Sequence, residues 1–218
     1  MRDWFRHRFY LYLVDHGFLR LLYANFHALR GGLYRTNQPT PRQLRRYQRD
    51  LGIKTVINLR GGDVNNPAWQ LERKTCDQLG LKMVDLQLFS RSFPHIHTIE
   101  KIKFVVESAE YPALVHCKSG ADRAGLFSVL YRIYHLKEPV SEARKELSWR
   151  YGHIRWARTG VVDLFFDSYE ESNSDSPIPF HEWLLTCYDR ESLKASYPEQ
   201  GLLHRLGNFI LDRLVHRE

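Results

Sequence analysis

The sequence has few cysteines and no long apolar segment. Its three cysteines, Cys76, Cys117 and Cys187, are an odd number at wide spacings, so neither a disulfide framework nor a paired-cysteine zinc site is expected. The longest uninterrupted apolar run is residues 9–14, far shorter than the roughly 20 residues that a membrane-spanning helix needs. The short apolar stretch at the start is not followed by a small-x-small cleavage site. These absences predict a cytoplasmic protein with reduced thiols.

Lysine is absent from the first quarter of the chain. Residues 1–50 contain ten Arg and three Asp, a net charge of +7, whereas residues 51–218 balance at 22 basic and 22 acidic side chains. Eight aromatic side chains are interleaved with these arginines between residues 4 and 26. The pattern predicts a basic amphipathic helix that packs on the domain or binds an anionic surface. A second such helix is predicted at 201–218, so both ends could contact the inner face of the membrane, while nucleic acid is the less favoured partner.

Strand and helix patterns alternate through the middle of the chain. Strands are predicted at 33–35, 54–59, 82–88 and 112–116, and helices at 40–52, 68–79, 98–109, 123–136 and 140–150. This alternation predicts an α/β fold with a mostly parallel central sheet flanked by helices, and a ligand site outside the carboxyl ends of the strands. We expect a basic aromatic helix over 1–30, the main domain over 31–168, an exposed loop over 169–179 and a helical extension over 180–218.

Residues 115–125, Val-His-Cys-Lys-Ser-Gly-Ala-Asp-Arg-Ala-Gly, join a buried strand to a strong helical pattern. A strand, a tight loop and a helix N-terminus together form an anion cradle, because successive backbone N–H groups point inward. The same positive field favours the thiolate of Cys117, which can attack a bound phosphorus atom. Arg123 follows Cys117 after five intervening residues, and its planar guanidinium can hold two phosphate oxygens in the transition state. Gly120 permits the turn, and Lys118 adds a cation at its mouth.

This spacing resembles the His-Cys-x5-Arg signature of the cysteine-dependent protein tyrosine and dual-specificity phosphatases. The similarity extends upstream to residues 32–39 and 51–60, which look like the opening of compact bacterial and fungal members, and it covers about residues 31–150. The resemblance implies a phosphomonoester hydrolase of the dual-specificity fold that needs no metal and no cofactor. The resemblance implies phosphorylated proteins, in particular phosphotyrosine, as substrates, whereas the basic termini and Lys118 favour membrane lipid or inositol phosphates as the alternative.

The resemblance also assigns roles to individual residues. Cys117 would form a phosphocysteine, Arg123 would clamp the phosphate, and His116 would orient the loop and support the thiolate. The predicted phosphate-binding residues are Lys118, Ser119, Gly120, Ala121 and, from the preceding Ser-Arg-Ser segment, Arg91. The role of Arg91 rests on its position just after the strand of Asp85, and an ordinary loop is the alternative for this segment.

The general acid has two candidates. Family members supply it as one Asp on a loop about 30 residues before the nucleophile. Asp85 lies 32 residues before Cys117, although residues 83–88 have the pattern of a strand. Asp122 is the alternative, because phosphoinositide phosphatases of the myotubularin kind carry an Asp immediately before the loop Arg. Both candidates stay open at this point.

One residue departs from the family pattern. The family usually has Ser or Thr directly after the loop Arg, where the hydroxyl stabilises the departing thiolate, and this chain has Ala124. Slow breakdown of the phosphocysteine, use of another hydroxyl such as that of Ser119, and a non-catalytic phosphate-binding pseudophosphatase are all compatible with this alanine.

Overall fold

The computed structural model describes residues 24–175 and 177–196. These residues form two compact units, one of 24–88 and 109–120 and the other of 89–108, 121–175 and 177–196. No helix in the described part of the chain is both long and apolar enough to cross a membrane. Most of the predicted helix at 1–30, and all of the one at 201–218, lie outside the described residues.

The first unit contains a five-stranded sheet. Its strands are β1 (His27–Ala28), β2 (Leu33–Thr36), β3 (Thr55–Asn58), β4 (Lys82–Asp85) and β5 (Ala113–His116), in the spatial order β1-β2-β5-β3-β4. All neighbouring pairs are parallel except β1 and β2. The predicted α/β class with a mostly parallel sheet is therefore confirmed. Every residue of β3 and β5 is buried, which explains why these two strands appear in the sequence as continuous apolar runs.

Two helices complete the first unit, α1 (Pro41–Leu51) and α2 (Pro67–Leu79). The start of α1 follows from its sequence, because Thr40 and Gln43 form a reciprocal capping box and Pro41 occupies the first turn. Leu44 and Tyr47 of α1 and Cys76 of α2 belong to one apolar cluster with the strands. The sheet and the two helices thus share a single core.

The second unit contains helices and no strand among its described residues. Its α-helices are α3 (Ile96–Ser108), α4 (Asp122–Tyr134), α5 (Val140–Ala143), α6 (Val161–Asp175), α7 (Phe180–Thr186) and α8 (Arg190–Ser196). Helices α3 and α4 pack against each other. The ring of Phe165 contacts those of Phe180, Trp183 and Tyr188, and these contacts anchor α6 to the chain around α7.

Three predicted segments differ in the structure. The helix expected over 1–30 gives way to β1 at His27–Ala28, because a turn through Gly31 and Gly32, both at positive φ, pairs His27 with Arg35 of β2. The helix expected at 140–150 is α-helical only over Val140–Ala143, continues as a 3-10 turn over Arg144–Glu146 and stops before Ser148, whose backbone is extended. At β1, strand pairing overrides the local helical preference.

The third difference concerns the exposed loop predicted at 169–179. Helix α6 continues through most of this range and ends at Asp175. The hydroxyls of Ser172 and Ser174 donate to carbonyls of the preceding turn, Ser168 O and Glu171 O, at 2.8 Å each. Serines that bond within the helix do not interrupt it, so the polar composition alone was a poor indicator of a loop here.

Candidate active site

The turn after the central strand β5 contains the predicted nucleophile. Cys117 follows β5 directly and is only 2% exposed. The backbone N–H of Gly120 points back at this thiol and donates to Cys117 Sγ at 3.2 Å. Residues 117–120 therefore curl around the sulfur, as the sequence predicts for an anion-binding turn.

Gly120 is required by its conformation and by its surroundings. Its φ is +76°, in the left-handed region. A Cβ atom at this residue would lie 2.7 Å from the backbone nitrogen of Asn37 and 2.7 Å from the carbonyl carbon of Thr36. Because those atoms belong to backbone, a side chain could fit only if one of the two segments moved. The turn is thus built against the end of β2.

Two carbonyl groups of the turn are held by side chains from the start of the described chain. Arg35, fully buried in β2, donates from Nη2 to Gly120 O at 3.0 Å. Asn25 donates from Nδ2 to Ser119 O at 2.8 Å. These bonds fix the backbone of the turn from outside before any ligand binds.

His116, the last residue of β5, is fully buried beside a carboxylate. Its Nε2 lies 2.7 Å from Glu72 Oε1. The second oxygen, Glu72 Oε2, accepts a hydrogen bond from Gln38 Nε2 at 3.0 Å, and Arg60 donates to Gln38 Oε1. A row of polar groups thus runs from Arg60 through Gln38 to Glu72, whose carboxylate lies beside the imidazole of the residue that precedes the nucleophile.

Asp85 ends β4 at the same edge of the sheet as His116. Asn58 of β3 is aligned with both residues, so their Cα atoms are separated by two strand spacings, about 10 Å. Asp85 is half-buried, and its Oδ1 accepts hydrogen bonds from Asn58 Nδ2 at 2.7 Å and from Trp69 Nε1 at 3.0 Å. The strand predicted around Asp85 is present, and its carboxylate lies where that strand ends.

Asp122, the first residue of α4, belongs to a buried ionic cluster in the second unit. Asp122 Oδ1 lies 2.8 Å from His153 Nδ1, and Asp163 Oδ2 lies 2.6 Å from His153 Nε2. Burial disfavours a charge on His153, but the hydrogen bonds to Asp122 and Asp163 outweigh that cost and raise the pKa of His153 to about 9. Near neutral pH, His153 is therefore a cation held between two carboxylates.

The remaining predicted site residues also lie in the second unit. Arg123 is half-buried in the first turn of α4, between the buried Asp122 and Ala124. Ala121 is buried directly before the helix, and Arg91 is half-buried in the segment that leads to α3. The first unit contains His116, Cys117, Lys118, Ser119, Gly120 and Asp85.

Sequence reasoning missed several residues that support these groups. Glu72 and Arg35 could have been recognised in the sequence, because each is a charged residue within an otherwise buried pattern. Glu72 lies on the inner face of α2, and Arg35 lies in the strand β2. His153 and Asp163 carried no such signal, since His153 pairs with Asp122, 31 positions before it, and with Asp163, 10 positions after it, and both pairings depend on tertiary structure.

A model of one protein family matches residues 27–155, more than half of the chain. That family is described as a DSP-PTPase phosphatase fused to NAD+ kinase. The matched range includes all five strands and the segment from His116 to Arg123. No curated protein matches the chain.

Several solved phosphatase structures share the fold. TpbA from P. aeruginosa superposes with a TM-score of 0.53 at 19% identity, over 79% of this chain and 90% of TpbA. PTPMT1 gives a TM-score of 0.51 at 16% identity, over 69% of this chain and 99% of PTPMT1. Tk-PTP gives a TM-score of 0.50 at 17% identity, over 67% of this chain and 97% of Tk-PTP. A second TpbA structure holds phosphotyrosine.

Proposed function

The chain belongs to the DSP-PTPase phosphatase family, and from that premise we propose that it hydrolyses phosphomonoesters through a phosphocysteine formed on Cys117. The observation that carries the proposal is the turn around this thiol, in which Gly120 N–H donates to Cys117 Sγ while Arg35 holds the carbonyl of Gly120. A backbone donor aimed at the sulfur supports a thiolate nucleophile.

In the first step, the sulfur of Cys117 attacks the phosphorus atom of the ester. An S–P bond forms while the bond from phosphorus to the leaving oxygen breaks, and that oxygen takes a proton from a general acid. The guanidinium of Arg123 pairs with two non-bridging oxygens and stabilises the transition state. The spacing of five residues between Cys117 and Arg123 supports this pairing.

In the second step, water attacks phosphorus and the S–P bond breaks. The thiolate of Cys117 returns, the general acid regains its proton from the water, and inorganic phosphate leaves. Ala124 brings no hydroxyl to stabilise this thiolate, and the nearby Ser128 hydroxyl donates to Ala124 O at 2.7 Å. We therefore expect the second step to be slow. The same alanine supports the second candidate function, a pseudophosphatase that binds phosphate without turning it over.

Asp85 is the better candidate for the general acid. It lies at the sheet edge where the strand before Cys117 also ends. Asp122 is buried, and its carboxylate is bonded to the cationic His153. A carboxylate in an ionic cluster of this kind positions the start of α4 rather than protonating a leaving group. Asp122 is thus assigned a positioning role next to Arg123.

For the substrate, the observations support two classes. Phosphotyrosine in proteins is supported by the family, and TpbA binds this group in one structure. Lipid or inositol phosphates are supported by Lys118, which adds a cation beside the turn, and by the basic residues of 1–30 and 201–218. The cytoplasm, with peripheral contact through those basic termini, is the proposed location.

Phosphate release by Cys117→Ser tests the proposal. Cys76→Ser is the matched control, because Cys76 is a buried thiol of the same unit whose pKa is raised by burial. We expect Cys117→Ser to abolish release from phosphotyrosine peptides, inositol phosphates and phospholipid vesicles while still binding inorganic phosphate, and Cys76→Ser to retain activity. Release by Cys117→Ser would refute the mechanism. Phosphate binding without release by the wild type would establish the pseudophosphatase.

A further inference from the structure

Helix α1 carries four arginines along one exposed face. They are Arg42, Arg45, Arg46 and Arg49, and we call them the arginine stripe. Residues three, four and seven positions apart lie on the same side of a helix, and the stripe extends for about 10 Å along its axis. Four of the ten arginines in the first 50 residues are thus gathered on one surface.

The opposite face of α1 fixes the stripe in place. Leu44 and Tyr47 are buried in the core of the first unit. The capping box of Thr40 begins the helix, and Gly52, at a φ of 66°, ends it. Because both ends and the inner face are held, the four guanidinium groups are presented on a rigid support.

The stripe retains most of its positive charge. Asp50 is the only acidic residue of α1, and it lies 2.7 Å from Arg49 and 3.5 Å from Arg46. No carboxylate among the described residues lies within ion-pair distance of Arg42 or Arg45. The four arginines therefore face solvent with a net charge of about +3.

The segment that precedes helix α1 contacts the turn of Cys117. The backbone N–H of Gln38 donates to Lys118 O at 3.4 Å, and the backbone of Asn37 lies against Gly120. Arg42 follows only four residues after Gln38. The segment that leads into the stripe thus contacts the turn of Cys117 within the same unit.

We propose that the arginine stripe docks the protein on an anionic lipid membrane. A membrane offers many mobile phosphate groups, which can adjust to four guanidinium groups at helical spacing. The choice of a membrane over nucleic acid rests on the proposed function, since lipid headgroups include phosphomonoesters whereas phosphates within a nucleic acid are diesters. The aromatic and arginine-rich composition of residues 1–30 also suits a membrane interface.

Vesicle binding by the full chain tests the docking surface. The stripe variant is Arg42→Gln, Arg45→Gln, Arg46→Gln and Arg49→Gln. The control variant removes the same charge from four exposed lysines on other elements, with Lys54→Gln, Lys74→Gln, Lys82→Gln and Lys101→Gln. The probes are vesicles of phosphatidylcholine with phosphatidylglycerol, vesicles of phosphatidylcholine alone, and duplex DNA, at about 0.1 M salt.

We expect the wild type to sediment with the anionic vesicles only. A basic residue near a membrane contributes about five-fold in affinity, so the stripe variant should bind at least about ten-fold more weakly, and the control variant less than about two-fold. Equal losses in the two variants, or none in the stripe variant, would overturn the proposal. So would loss of DNA binding with vesicle binding unchanged. Hydrolysis of a soluble aryl phosphate should be the same in all three proteins, and its absence would count against the phosphatase rather than the docking surface.

Discussion

The two units of the molecule each bury a histidine against carboxylate, but they do so differently. In the first unit, His116 faces one carboxylate, that of Glu72, whose other oxygen is bonded to the neutral amide of Gln38. In the second unit, His153 lies between two carboxylates, those of Asp122 and Asp163. One histidine ends a chain of polar groups, whereas the other is the centre of an ionic cluster.

This difference shows that the two halves of the His-Cys-x5-Arg motif are stabilised by different kinds of interaction. The half with Cys117 depends on close backbone packing and on hydrogen bonds that Asn25 and Arg35, whose guanidinium does not titrate, donate to the turn. The half with Arg123 begins at Asp122 and depends on a buried charge. Steric changes should therefore damage the first half, and changes of pH should damage the second.

The largest expected effect comes from adding one methyl group to the turn. Gly120→Ala places a Cβ atom 2.7 Å from backbone atoms of Thr36 and Asn37, so the turn must move away from the ideal position for a phosphate. We expect hydrolysis of an aryl phosphate to fall by up to about 1,000-fold, the scale of losing a positioned donor. Steady-state kinetics measures this loss.

Gly80→Ala is the matched control for that substitution. Gly80 has a similar φ of +67°, but no atom lies within 4 Å of a Cβ built there. It should cost about 1 kcal/mol of stability and leave the rate unchanged. If both substitutions lowered the rate equally, the close packing of the turn would not be its essential feature.

The second-largest expected effect distinguishes the two units by how their stability depends on pH. The folded-state pKa of His153 is raised to about 9, against an ordinary value of about 6.5. A raised pKa stabilises the fold fully below about pH 6.5, and this stabilisation is lost as the pH rises through 9. In chemical unfolding, the stability advantage of the wild type over His153→Asn should shrink by about 3 kcal/mol between pH 6 and pH 10.

An exposed histidine provides the comparison for that experiment. His95→Asn should change the unfolding free energy by less than about 0.5 kcal/mol at neutral pH, because His95 is exposed. A stability difference for His153→Asn that stayed constant across the pH range would show that the ionic cluster does not stabilise the second unit through its charge.

The smallest expected effect tests whether Asp85 or Asp122 is the general acid. Asp85→Asn should slow hydrolysis of alkyl phosphates by about 100-fold and of aryl phosphates with good leaving groups far less, because only the poor leaving group needs the proton. Asp122→Asn should slow both substrates alike, since Asp122 acts on the position of Arg123. The reverse pattern in the two variants would transfer the role of acid to Asp122.

The sequence predicted best what is determined locally. The strand before Cys117, the capped start of α1 and the turn at Gly120 each follow from a few adjacent residues. The short spacing from Cys117 to Arg123 likewise predicted the family, which the family model then confirmed. Local signals suffice where one segment forms the structure by itself.

What the sequence could not predict depends on segments that meet only in the fold. Residues 27–28 become a strand because they pair with β2, although their local pattern favours a helix. The cluster around His153 joins three separate segments. The close approach of Asn37 to Gly120 joins two more, and neither segment alone indicates the other.

Rapid-quench mass spectrometry of the wild type with an aryl phosphate tests the central claim most directly. We predict one phosphoryl group on the peptide that contains Cys117, and its accumulation during turnover, because Ala124 offers no hydroxyl to the departing thiolate. Cys117→Ser should show no such species under the same conditions. Sustained phosphate release by a wild type that never carries a phosphoryl group on Cys117 would contradict the account.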